Sequence, residues 1–436
     1  MAPLLTRLDL RGETGPLGPR LPPPPFSGEG PTEAVRAILA EVRAGGDASL
    51  RELTRRFDGV DIAELRVPAA EIEAAADAVP PVLLTALEAA ASNIEAYHRI
   101  QLHADGEYRS GGLHVRERRL PVDRAGVYVP GGRAPLASTV LMTAVPARVA
   151  GVGRVAMVTP PGPGGRVHPA VLAAAAVAGV DDVYRVGGAQ AVAALAYGTE
   201  TVRPVDVIVG PGNVYVAIAE RLVAEEGAVG VPSAFTGPSE VAVVADGSID
   251  PGWAAIDLVV QAEHGPDGLA YLITWSEQVA DDVTREVEAI TAASPRRAEV
   301  TATLGRGGYA VLVDGPEAAM EVANVIAAEH LELQTADPEA LLALVRSAGA
   351  VFTGPWAPAS VGDYAAGPSH VLPTARSARF GSALRVDDFC RHIHVVDLDR
   401  DALAALAPHV VALAEVEGLA AHADSVRCRL DGRWGG

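Results

Sequence analysis

The chain has 436 residues, 49% of them hydrophobic and 21% charged, with a formal net charge of −20. That is enough apolar material for two or three packed cores, and it excludes a disordered or collagen-like chain and any uncharged membrane span of ~20 residues. The acidic balance repels polyanions, so neither nucleic acid nor an anionic membrane is an expected partner, and because all 35 basic residues are arginine a Walker A lysine, a pyridoxal Schiff base and an imine-forming aldolase are ruled out.

Near the start, Arg7, Asp9, Arg11 and Glu13 are followed by Pro22 to Pro25, with no apolar core ahead of a small-residue cleavage site. A cytosolic protein is therefore expected. Residues 32–44 and 69–98 place alanine, leucine and isoleucine at three- and four-residue spacing among charges, which predicts a helical opening. From Gly126 the pattern changes to short β-branched runs at 155–159, 183–186 and 205–209, separated by helical stretches at 169–179 and 189–197. This alternation predicts a parallel α/β unit. A second alternation, with strands at 241–245, 269–274, 309–313 and 350–352, predicts another. Beyond about residue 385, a stretch rich in alanine, leucine and valine predicts one helix over 400–422 and a small C-terminal module. The two cysteines, Cys390 and Cys428, form neither a CxxC pair nor a disulfide framework.

Three glycine-rich loops follow predicted strands: Gly131-Gly132, Gly187-Gly188-Ala189-Gln190 and Gly210-Pro211-Gly212-Asn213. None is GxGxxG, and each alone could be a plain turn, but three at successive strand ends point to a nucleotide. Gln261 and His264 lie three apart on one helical face, as two metal ligands or as a capped helix end. Glu329-His330 reads as the end of a helix before a strand at 331–335. An acid beside an imidazole there suits proton chemistry, or simply a histidine against the helix dipole. Asp363 and His370 fall in a glycine-rich loop, where polar residues ordinarily face water. Glu417 and His422, five apart, are separated by about 140° on an ideal helix, so spacing alone does not pair them.

Together these segments resemble the histidinol dehydrogenase family. The resemblance is carried by Gly126-Val-Tyr-Val-Pro-Gly-Gly132, Val186-Gly-Gly-Ala-Gln190, Gly210-Pro-Gly-Asn213, Gly237-Pro-Ser-Glu240, Gln261-Ala-Glu-His-Gly-Pro-Asp267, Glu329-His-Leu331, Gly362-Asp-Tyr364, His370-Val-Leu-Pro-Thr374 and Glu417-Gly-Leu-Ala-Ala-His422, and it covers nearly the whole chain. It implies an α/β fold of two incomplete Rossmann-like, doubly wound domains with small helical terminal extensions, in an intertwined homodimer. The corresponding division is an arm at 1–25, a metal and substrate domain at 26–110 with 238–385, an NAD domain at 111–237 and a dimerisation module at 386–436.

Carried over residue by residue, the resemblance implies zinc ligands Gln261, His264, Asp363 and His422, with His422 reaching into the site of the partner. It implies NAD contacts at Tyr128, Gln190 and Asn213, and substrate contacts at Ser239 and Glu417 in addition to His330 and the four ligands. The implied reaction is a four-electron oxidation of histidinol to histidine through histidinal, completing histidine biosynthesis. His330 would be the repeated proton acceptor, and Glu329 would activate the water that hydrates the aldehyde. Two other readings are a relative acting on another small alcohol, such as a sulfonated diol, and a non-catalytic nucleotide-binding sensor. Retention of Ser239 and Glu417 argues against the first, and Glu329-His330 beside four ligands argues against the second.

Overall fold

A computed structural model of the chain describes residues 3–23, 30–132, 134–232, 237–263, 265 and 267–431. The first strand, β1 (Thr6–Asp9), is followed by helices α1 (Thr32–Asp58), α2 (Ala69–Glu73) and α3 (Pro81–Arg99), then by a hairpin of β2 (Gly106–Ser110) and β3 (Leu113–Pro121). A four-stranded parallel sheet comes next: β4 (Arg124–Tyr128), α4 (Ala137–Ala150), β5 (Arg154–Thr159), α5 (Pro169–Val177), β6 (Asp182–Arg185), α6 (Gly188–Tyr197), β7 (Val207–Val209) and α7 (Val214–Glu225). The second alternation runs β8 (Glu240–Ala245), α8 (Pro251–Ala262), β9 (Leu269–Thr274), α9 (Glu277–Ala293), α10 (Arg297–Gly307), β10 (Gly308–Leu312), α11 (Pro316–Ile326), β11 (His330–Gln334), α12 (Pro338–Leu342), β12 (Ala350–Thr353) and α13 (Ala359–Tyr364). The chain closes with β13 (Cys390–Leu398), α14 (Arg400–Val416) and α15 (Ala420–Asp431).

Both expected α/β units are present. The first sheet has the order β6-β5-β4-β7 and the second β1-β10-β9-β8-β11-β12, all pairs parallel. Each is buried on both faces, as helical crossovers require. In the first, Val155 and Met157 enter one core while Ala156 and Val158 enter the other. In the second, Val241 and Val243 face α8 while Ala242 and Val244 face α11. Burying such a side chain contributes roughly 1.5–3 kcal/mol, and the period of two delivers it to both faces.

Four expectations change. The helical opening divides: Val35, Ile38, Leu39 and Val42 form one apolar stripe of α1 that meets α6 and α7 of the first unit, while α3 also reaches 238–385, its Asn93 donating to the Ala365 carbonyl at 2.9 Å. Residues 102–121 join 390–436 in a second compact unit, because β3 pairs antiparallel with β13 along its whole length. Glu329-His330 does not end a helix: α11 stops at Ile326, Ala327 turns left-handed (φ 50°), and His330 opens β11. The predicted helix at 400–422 is two helices, broken where Gly418 adopts φ 72° after the α14 cap at Glu417. Among the described residues, no helix is long and apolar enough to cross a membrane.

Candidate active site

In the first sheet the chain enters at β4, winds outward through β5 and β6, and returns beyond β4 to place β7 on the other side. The switch point therefore lies between β4 and β7, where loops after neighbouring strands diverge and leave a crevice. Tyr128 ends β4, and its buried hydroxyl accepts the Gly188 N–H at 2.9 Å, which fixes the start of α6. Burial pushes that phenol well above its usual range. Gln190, one turn into α6, is also buried. Asn213 caps α7, its Oδ1 accepting from Tyr215 N at 3.0 Å and Val216 N at 3.2 Å. Gly210 ends β7 at φ 126°, and a Cβ there would lie 2.2 Å from the Tyr128 carbonyl oxygen. The crevice is thus lined by backbone at close approach and by a helix start, the environment that suits a dinucleotide phosphate.

The second sheet switches direction between β8 and β11. Here the polar residues gather at the amino ends of the strands. Glu240 N donates to Glu329 Oε2 at 3.0 Å, and Ser239 gives the same carboxylate a side-chain hydrogen bond. Glu329 Oε2 lies 3.8 Å from His330 Nδ1, and His330 Nε2 lies 3.5 Å from Asp363 Oδ1. Among the described residues, buried His330 Nδ1 has no hydrogen-bond partner. The loop carrying Asp363 is pinned by His370, whose Nδ1 pairs with the Asp363 carbonyl at 2.9 Å and whose Nε2 pairs with Thr139 Oγ1 on α4 at 3.2 Å. His370 thereby ties the amino edge of the second sheet to the helix that follows β4, beside the crevice of the first.

Burial lowers the affinity of His330 for its proton, but Glu329 and Asp363 outweigh it and raise the imidazole to about 9. Burial raises Glu329 above the usual carboxylate range, and it pushes Glu240 up to about 8. An acid and an imidazole in contact, each displaced from its ordinary value, are equipped to hold and move a proton.

Ser239, Glu329, His330 and Asp363 are therefore brought together, and Gln261 is buried at the end of α8. His264 lies outside the described residues. Glu417 and His422 stand in the second compact unit, at the α14 cap and in the first turn of α15. Among the described residues no three His, Cys, Asp or Glu form a metal-holding group by themselves. The expected donors are an amide carbonyl, a carboxylate and two imidazoles, an oxygen and nitrogen set that fits a borderline divalent ion such as zinc. The buried Gln261 side chain suits that role better than a solvated helix end.

Sequence reasoning missed Asp257, Glu332 and Gln334, which are joined behind this cluster. Two signals were present: Asp257 is one helical turn before Gln261, and 330, 332 and 334 share one face of a strand.

A sequence model of histidinol dehydrogenase matches residues 27–430. The chain belongs to the histidinol dehydrogenase family. It is 50% identical over 400 residues to histidinol dehydrogenase of Rhizobium meliloti strain 1021, covering 91% of each chain. It is 49% identical over 405 residues to that of a Synechococcus strain, again 91% of each. The crystal structure of histidinol dehydrogenase from Elizabethkingia anophelis superimposes with a TM-score of 0.93 at 32% identity, over 99% of both chains. Lactaldehyde dehydrogenase from Escherichia coli, at TM-score 0.51 and 10% identity over 85% of this chain and 92% of its own, shares the fold alone. The protein is an oxidoreductase of the histidinol dehydrogenase family, and its doubly wound α/β fold is that of the family.

Proposed function

We propose that the protein oxidises histidinol to histidine in two NAD-dependent steps at a site that holds one zinc ion per subunit. The observation that carries this reading is the Glu329–His330–Asp363 chain of contacts at 3.8 and 3.5 Å. Gln261, His264 and Asp363, with His422 from a second copy, would hold zinc, which would supply a Lewis-acid anchor for the amino alcohol, and Tyr128, Gln190 and Asn213 would hold the NAD that accepts both hydrides.

Each step asks one thing of His330. In the first, it takes the hydroxyl proton as the carbinol C–H bond breaks and the aldehyde forms. In the second, it takes a proton from the hydrated aldehyde, and the carboxylate is released. Glu329 removes the proton from the water that adds to the aldehyde carbonyl, and its oxygen is held in place by Glu240 N. Glu329 and Asp363 together favour the protonated imidazole, and a cation held at Asp363 would offset part of that charge and favour the neutral, basic form of His330. Ser239 and Glu417 would contact the substrate, the carboxylate of Glu417 matching a cationic amine or imidazole.

Purified protein supplied with histidinol and NAD should form two NADH per histidinol consumed. A strong chelator should abolish this activity, and added zinc should restore it. Absence of NADH with histidinol, together with turnover of another small alcohol, would replace the assigned substrate.

A further inference from the structure

The sequence of β11, His330-Leu331-Glu332-Leu333-Gln334, alternates polar and apolar like a strand with one wet face, yet all five residues are buried. Leu331 and Leu333 enter the core under α11, so His330, Glu332 and Gln334 share the opposite face, toward α8. Gln334 Nε2 donates to Asp257 Oδ2 on α8 and to Glu332 Oε2, both at 2.7 Å. One amide nitrogen thus bridges Asp257 on α8 and Glu332 on β11, which brings the two carboxyls together behind His330. The other oxygen of Glu332, Oε1, accepts Ala359 N at 3.0 Å, at the start of α13.

These bonds set a register. Glu332 meets the first residue of α13, and His330, two residues back along the strand, meets Asp363, four residues on along the helix. Two strand residues span about 6.7 Å and four helical residues rise about 6 Å, so the two contacts are rungs of one ladder. The same face is braced elsewhere: the His330 and Phe352 rings lie 5.9 Å apart, Gly362 packs directly on Phe352, and Trp253 on α8 meets Trp356, just before α13, with tilted rings 5.4 Å apart.

We propose that Glu332, bridged to Asp257 through the Gln334 amide, is a positioning residue that locks α13 in register with β11 and α8 and so presents Asp363 to His330 and Gln261. The role of Asp363 in holding zinc rests on the function proposed above; the locking of α13 does not. Burial and the Asp257 charge push Glu332 up to about 8.

The test uses metal-stripped full-length protein. Glu332→Ala should exchange the amides of 359–364 at least tenfold faster than wild type while those of β8 exchange as before. Competition with a chromophoric chelator should show zinc affinity reduced by ~10–100-fold, the range for losing a group that orients a ligand. Glu332→Gln keeps an acceptor for Ala359 N and should recover most of both losses, and Asp257→Asn should loosen 359–364 less than Glu332→Ala. Unchanged exchange at 359–364 overturns the proposal; faster exchange with wild-type zinc affinity supports the locking of α13 and removes Asp363 from the zinc ligands. If wild-type protein oxidises no histidinol but Glu332→Ala still loosens 359–364, the substrate reading fails and the locking of α13 stands.

Discussion

At the scale of single residues, the site is a set of groups whose protons are controlled by their neighbours. His330→Gln should lower turnover in both oxidations by ~10²–10⁴, the usual cost of removing a general base, while metal content and circular dichroism stay as in wild type. Glu329→Gln should spare oxidation of histidinol to histidinal more than oxidation of histidinal, measured by supplying each substrate separately. Near-normal turnover of His330→Gln at neutral pH would remove it as the base. A different residue controls stability. Glu220 on α7 is fully buried with neither carboxyl oxygen hydrogen-bonded, and burial raises it well above its ordinary 4.5. A raised acid stays protonated in the folded state after the unfolded chain has ionised, so its contribution is intact below pH 4.5 and is lost as pH rises toward the folded value. Within that window the loss is ~1.4 kcal/mol per pH unit. Glu220→Gln should therefore match wild type in urea unfolding at pH 4 and exceed it once the pH passes 4.5; equal stability at pH 8 would count against a buried acid there.

At the scale of elements, short connections decide what the strands present. The β7–α7 turn brings Gly210 so close to Tyr128 that a methyl group would collide with backbone, which has no rotamer to yield. Gly210→Ala should cost about 2 kcal/mol or more and weaken NAD binding, both measurable by unfolding and titration. Gly227→Ala, also at positive φ (68°) but with open space around it, should cost only about 1 kcal/mol and leave NAD affinity unchanged. Equal effects of the two would dismiss the crevice as an ordinary turn. Elements with strong local periodicity were legible in the sequence: the runs at 155–159 and 241–245 are strands, and 169–179 holds a helix. Those whose ends depend on one backbone angle were not. The helix expected to reach Glu329 stops at Ile326 because Ala327 turns left-handed, and that at 400–422 breaks at Gly418. In β11, polar residues at alternate positions imitate a solvated face; the carboxyl–amide network with Asp257 explains how Glu332 and Gln334 are buried, and Glu329 and Asp363 flank His330.

At the scale of the whole molecule, the chain divides into a large unit that contains both parallel sheets and a small one made of 102–121 and 390–436. Glu417 and His422 belong to the small unit, whose α14 leaves Leu413 at 66% and Val416 at 89% exposure, apolar area that a second copy would cover. A site shared between two copies makes a specific prediction. Mixed dimers of His422→Ala and His330→Gln chains should regain one intact site, wild-type His330 from one chain meeting wild-type His422 from the other, while both parent dimers stay inactive. No recovery in a verified mixed dimer would mean that each chain completes its own site. The sequence alone determined the two parallel α/β alternations and the family, because hydrophobic period and motif spacing are local and need no knowledge of what lies opposite. Tertiary structure alone decided that α1 packs on the first sheet, that Pro121 and Arg391, 270 positions apart, are joined in one sheet, and that Asp257 meets Glu332 behind His330. Such contacts close over long stretches of chain, and which apolar face or carboxyl finds which partner depends on how whole elements pack, not on the residues beside them.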